Sequence, residues 1–167
     1  MLTCHELFGF MSPELALDIL TFVHDTDRAS YRATLAAVAQ ARHLRPVFME
    51  RQAKTQRHAN MLASLAKPNL EEAAGTLIRI WLVKKYKTML MDFLNTLGIK
   101  NEEGVVEDLP ESMDDEKLRA AVDVLVGKYP PEAVSVYLHA FNDMNEANWP
   151  NLKTLLESDP RLQLGAK

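Results

Sequence analysis

The stretch His24-Asp25-Thr26-Asp27 sets one imidazole and two carboxylates side by side. Those are donor types that a divalent transition metal takes. The same carboxylate oxygens also cap helices and close Asx turns, and that work needs no imidazole. Sliding the chain along itself by 118 positions sets Asn142, Asp143 and Asn145 opposite His24, Asp25 and Asp27. The exchange keeps the side-chain oxygens and discards the ring. Capping is therefore the expected role of both stretches, and no metal or other cofactor is expected. The remaining histidines, His5, His43, His58 and His139, form no pair four residues apart, and no HExxH occurs. Each is expected to be a packed or surface histidine. Cys4 neighbours His5, but adjacent side chains rarely face each other as a thiolate–imidazolium pair must. The six glycines are scattered, and no GxxxxGK phosphate loop is formed. No catalytic residue is assigned.

The segment ARHLRPVFMERQAKTQRHANM (41–61) is the richest candidate for binding. It carries Arg42, Arg45, Arg51, Lys54 and Arg57, with Gln52, Gln56 and Asn60 between them and Glu50 as the one acid. These groups contact phosphates and base edges, or the carboxylates of an acidic protein. Phosphate binding would depend steeply on salt. However, the Arg45-Pro46 connection is too tight for a standard helix-turn-helix turn. Phe48 is the only aromatic side chain available there to stack on single strands. The eight acids of 101–116 offer a third use, neutralisation of the cations within the fold. RIWLVKKYKTML (79–90) also mixes cations with apolar groups. Its apolar residues spread round the helix, so it reads as core with lysines reaching solvent by their stems.

The elements that must position these groups are helices. Ser12-Pro13-Glu14 is a start signal, with a capping hydroxyl, Pro at the first helical position and an acid in the first turn. Asp27 can cap a second, Ala-rich helix reaching about Leu44, and Pro46 forces a break. A third helix is expected over about 47–66. A fourth, capped by Asn69 and ended by Gly98, is expected to run unbroken over about 70–97. Its apolar residues nearly encircle it, which predicts a central, buried position. An acidic loop follows at about 100–114, then helices over about 115–128, 131–142 and 151–157. No alternating pattern predicts a strand.

LFGFMSPEL and LVGKYPPEA share Leu-x-Gly-x-x-x-Pro-Glu at that same offset of 118. Extended over 7–45 and 125–163, the alignment pairs Leu20 with Leu138, Ile19 with Tyr137, Val23 with Phe141 and Tyr31 with Trp149. Gly and Pro at the joint between two helices, followed by a common apolar face, read as a duplicated packing unit. LVKKY (82–86) resembles LVGKY (125–129) and hints at a third copy without breakers, which should run on as one helix.

The 167 residues suit one domain, expected over 1–167, with enough apolar content to bury a core unaided. With one cysteine, no disulfide or thiolate zinc site can form within the chain. No secretory signal and no membrane span are read, so the cytoplasm is the expected compartment. The net charge of −4 divides into −5 over 1–27, +9 over 28–100 and −8 over 101–167. The expectation is an all-α bundle of six or seven helices, duplicated about a long central helix. Its expected function is a non-enzymatic interaction module, meeting an acidic protein or another copy of itself through the basic helix. Nucleic-acid binding by that helix is the alternative, and an enzyme with an unrecognised site the third.

Overall fold

The computed structural model describes residues 1–165. Ten α-helices and two 3-10 turns make up its regular structure, with no strand among the described residues. They fall into two compact units, residues 2–81 and the residues from Leu82 onward. The first holds α1 (Cys4–Phe10), α2 (Pro13–Thr26), α3 (Arg28–Ala41), α4 (Pro46–Glu50) and α5 (Lys54–Leu65). A 3-10 turn (Pro68–Leu70) then leads into α6 (Glu71–Lys85), inside which the division falls. The second unit holds the end of α6, α7 (Lys87–Thr96), α8 (Asp115–Lys128), α9 (Pro131–Asn145), α10 (Pro150–Ser158) and a 3-10 turn (Pro160–Leu162).

Several helix ends follow from their own residues. Ser12 Oγ accepts from the Leu15 amide at 3.1 Å and Pro13 opens α2. Asp27 caps α3 by accepting from the Ser30 amide at 3.1 Å, as expected of HDTD. In the second unit Asn145, opposite Asp27 in the alignment, turns its amide back to donate to Phe141 O, and α9 ends on Glu146 in the left-handed region. Gly98 takes φ of +74° after α7, with the Ile99 amide reaching Leu94 O at 2.9 Å. That 6→1 bond is a Schellman closure.

Four helix expectations need correction. The helix expected over 70–97 is two, α6 and α7, interrupted at Tyr86 with φ −114° and ψ +28°. No Pro or Gly causes the break. At the break the Tyr86 ring meets Tyr129 edge-on at 6.3 Å, and Lys87, the first residue of α7, pairs with Glu103 at 2.8 Å. LVKKY therefore stops on Lys85 just as LVGKY stops on Lys128. The helix expected over 47–66 is also two, α4 and α5, separated at Arg51–Ala53. Asn69 caps nothing and lies in a 3-10 turn, and the unforeseen α1 helps raise the number of helices to ten.

In the first unit α2 packs on α3, and α5 packs on α1, α2 and α3. Leu7, Ile19, Leu20, Val23, Val38, Met61 and Leu65 are fully enclosed there. The second unit is built by α7 on α8, α8 on α9, and α9 on α10. Its centre is aromatic: Phe93 lies 5.5 Å from Tyr137 and 5.3 Å from Phe141, which in turn lies 5.4 Å from Trp149. Such tilted and edge-on pairs add to the area they bury. Asp92 on α7 holds the α8–α9 joint, accepting from Tyr129 Oη at 2.6 Å and Lys128 Nζ at 3.0 Å. Positions paired by the 118-residue offset are buried together at Leu7 and Leu125, Leu20 and Leu138, Val23 and Phe141, and Tyr31 and Trp149. The correspondence fades later, where Leu44 is exposed and Leu162 buried.

Candidate functional site

The five cations of 41–61 do not share one helix. Arg42 closes α3, Arg45 precedes Pro46 at the start of α4, Arg51 ends α4, Lys54 opens α5, and Arg57 follows one turn later. All five lie at or near the ends of α3, α4 and α5, at the corner where α4 connects α3 to α5. Pro46 and the turn at Arg51–Ala53 bend the backbone twice and so replace the continuous basic helix expected from the sequence.

Arg57 differs from the other four. Its guanidinium is half-buried and donates to Tyr31 Oη at 3.1 Å and to Glu50 O, the last carbonyl of α4, at 3.1 Å. It satisfies an orphan carbonyl at a helix end and ties α5 to α3. Arg42 donates to Asn60 O at 3.3 Å while remaining exposed. Arg45, Arg51 and Lys54 are exposed, and within residues 2–81 none of the five cations forms an ion pair with a carboxylate. Between them stand exposed apolar groups, Leu44, Val47 and Phe48, the last 54% exposed. The periodicity of the sequence could not find these, because α4 is a short helix that buries Met49 alone.

Behind Arg57 lies a polar network that no motif announces. Arg57 Nε–H donates to Tyr31 Oη, which leaves the phenol proton free to donate to His58 Nε2, 3.1 Å away. A His58 that accepts it is neutral and carries its own proton on Nδ1. Burial, then the charges of Arg57 and Lys54, push its pKa down from 6.5 to about 4, consistent with that tautomer. His24 lies edge-on to Tyr31 at 4.7 Å between ring centroids, and its Nδ1 bonds Asp25 at 2.8 Å. The Asp25 carboxyl is held below its ordinary range, chiefly by that hydrogen bond from His24. Thus His24 and Asp25 pair with each other while Asp27 serves a helix end. The network braces α2, α3 and α5 beneath the basic corner.

Cavities lie elsewhere. One of about 300 Å³ in the first unit is lined by Ser30, Thr34, Asn69 and Thr76 among others. The second unit has cavities of about 520 and 440 Å³ along the acidic loop, lined by residues such as Lys100, Glu102, Asp108 and Asp114. None of these three is lined by His24, Tyr31, His58 or His139.

The acidic loop is exposed yet firmly held within its unit. Trp149 Nε1 donates to Pro110 O at 2.9 Å, and Asn151 donates to Met113 O at 2.6 Å. Gly104, at φ +86°, closes a turn in which its amide donates to Asn101 Oδ1. Lys87 pairs with Glu103 at 2.8 Å. Glu102, Glu107, Asp108, Glu111 and Glu116 are exposed and meet no Lys or Arg within that unit among the described residues.

No helix among the described residues is long and apolar enough to cross a membrane. No protein-family model, curated protein or solved structure matches this chain.

Proposed function

We propose that this chain is a non-enzymatic interaction module that holds an acidic, partly apolar polypeptide segment at the α3–α4–α5 corner. The observation that carries this reading is the pairing of exposed, unneutralised cations with exposed apolar groups. Arg42, Arg45, Arg51 and Lys54 and the apolar Leu44, Val47 and Phe48 are all exposed within the one 42–54 stretch, which Arg57 ties to Tyr31 on α3 and, through it, to His58. Cations steer an acidic partner to the corner, and apolar contact holds it. A uniformly charged polyanion would use only the first of these features.

Fluorescence anisotropy with labelled peptides tests the reading. An acidic peptide containing Leu and Phe should bind at low salt, and its affinity should fall at least about tenfold in Arg45→Glu/Arg51→Glu/Lys54→Glu. Phe48→Ala should weaken that peptide while leaving an all-acidic peptide of equal charge unaffected. Stronger binding of a single-stranded oligonucleotide, with Phe48 as a stacking platform, would replace this reading with nucleic-acid recognition. Absence of peptide binding at about 100 µM in low salt would remove it.

A further inference from the structure

Resting on that reading, the partner can be narrowed from within the chain itself. We infer that the acidic segment held at the α3–α4–α5 corner is residues 102–116, the acidic loop and the start of α8, of a second copy of this protein. The segment carries eight exposed carboxylates, and Val105 stands among them 60% exposed. The corner carries four exposed cations with Phe48 standing among them. Each segment thus combines an exposed apolar group with exposed charges, and the charges are opposite. The loop needs little ordering on binding, because Trp149, Asn151 and the Glu102–Val105 bridge already fix it. Corner and loop belong to one chain, so two copies can exchange the contact reciprocally in a closed dimer, or each copy can pass it on to the next in a ring or longer oligomer.

Sedimentation velocity with charge-reversed variants of the full chain tests this. The wild-type chain should show a concentration-dependent rise in average mass at about 50 mM salt and return to monomer at about 500 mM. The corner variant Arg45→Glu/Arg51→Glu/Lys54→Glu and the loop variant Glu107→Lys/Asp108→Lys/Glu111→Lys should each remain monomeric alone. None of these six side chains makes a hydrogen bond among the described residues, and circular dichroism would verify that both variants fold. An equimolar mixture should associate again, because the acidic corner of one variant meets the basic loop of the other. Combining all six changes in one chain should restore self-association too.

A wild-type chain that stays monomeric at about 1 mM in low salt overturns the inference. So does association that either variant leaves intact, or crosslinking of corner to loop within a single chain. The outcomes separate from those of the wider reading. A monomeric chain that still binds the acidic Leu- and Phe-containing peptide loses this inference and keeps the interaction module. A chain that binds no such peptide loses both.

Discussion

His43 holds φ at +57° after α3, where its amide reaches Gln40 O at 3.1 Å and the Leu44 amide reaches Ala39 O at 2.8 Å. It fills the same structural position that Gly98 fills after α7. A side chain in the left-handed region costs about 1 kcal/mol relative to glycine, so His43→Gly should raise stability by about that amount in urea unfolding, while Gly98→Ala should lower it. His58 supplies a second prediction at this scale. Its folded pKa of about 4 lies below the ordinary 6.5, so the unfolded chain takes up a proton that the folded chain refuses. The stability it contributes is complete above pH 6.5 and is lost as pH falls towards 4. The loss should be on the order of 3 kcal/mol, and His58→Gln should flatten the urea midpoint between those limits. A variant keeping the wild-type slope would locate the proton elsewhere. Neither residue could be picked out from the sequence. His43 lacks the glycine that marks such a closure, and His58 looks polar among polar neighbours until Tyr31 and Arg57 enclose it.

At the scale of elements, the distribution of successes follows the range of the forces. Helix starts written in adjacent residues, Ser12-Pro13 and Asp27, were legible because the capping oxygen and the amide it serves are three residues apart. The aromatic and aliphatic faces were legible through their period. Helix α1 also carries a local signal, the Thr3-x-x-Glu6 capping box in which Glu6 accepts from the Thr3 amide at 2.7 Å. The reading of the sequence passed over it, and Glu71 adds a long-range hold that no local pattern shows. The Glu71 carboxylate accepts from the Cys4 amide at 2.8 Å and the His5 amide at 2.7 Å, and it also bonds the His5 ring. Burial alone would raise the Glu71 pKa, but the bonds from His5 and Cys4 outweigh it and hold the carboxyl below its usual range. Glu71→Ala should therefore cost about 1–2 kcal/mol and speed amide exchange in residues 4–10 before the other helices of that unit. The break at Tyr86 was equally hidden, since nothing local resembles a breaker. Arg57 could not be told from the other cations of its segment, because spacing does not reveal that its guanidinium is already engaged.

For the whole molecule, the blocks of charge and the blocks of structure do not coincide. The +9 stretch of 28–100 crosses the division inside α6. Residues 2–81 carry nine Lys and Arg against eight acids, and residues 82–167 carry ten against fifteen. Net charge therefore gives the first unit no strong field. Its basic character is local to one corner, which is why the proposed contact pairs two patches and not two oppositely charged halves. Whether the two compact units open separately is read from amide exchange. Asp92→Asn, which weakens the hold on Lys128 and Tyr129, should cost about 1–2 kcal/mol and show first in amides beyond residue 86. Equal acceleration across residues 2–81 would mean that the two units open together.

Cys4 is the chain's sole thiol and sits buried at the first turn of α1. A sulfhydryl reagent can modify it only during excursions that lift that turn away. The speed of colour development with such a reagent thus clocks those excursions without any introduced probe. Each tenfold quickening on replacing Glu71 would correspond to about 1.4 kcal/mol of lost closure.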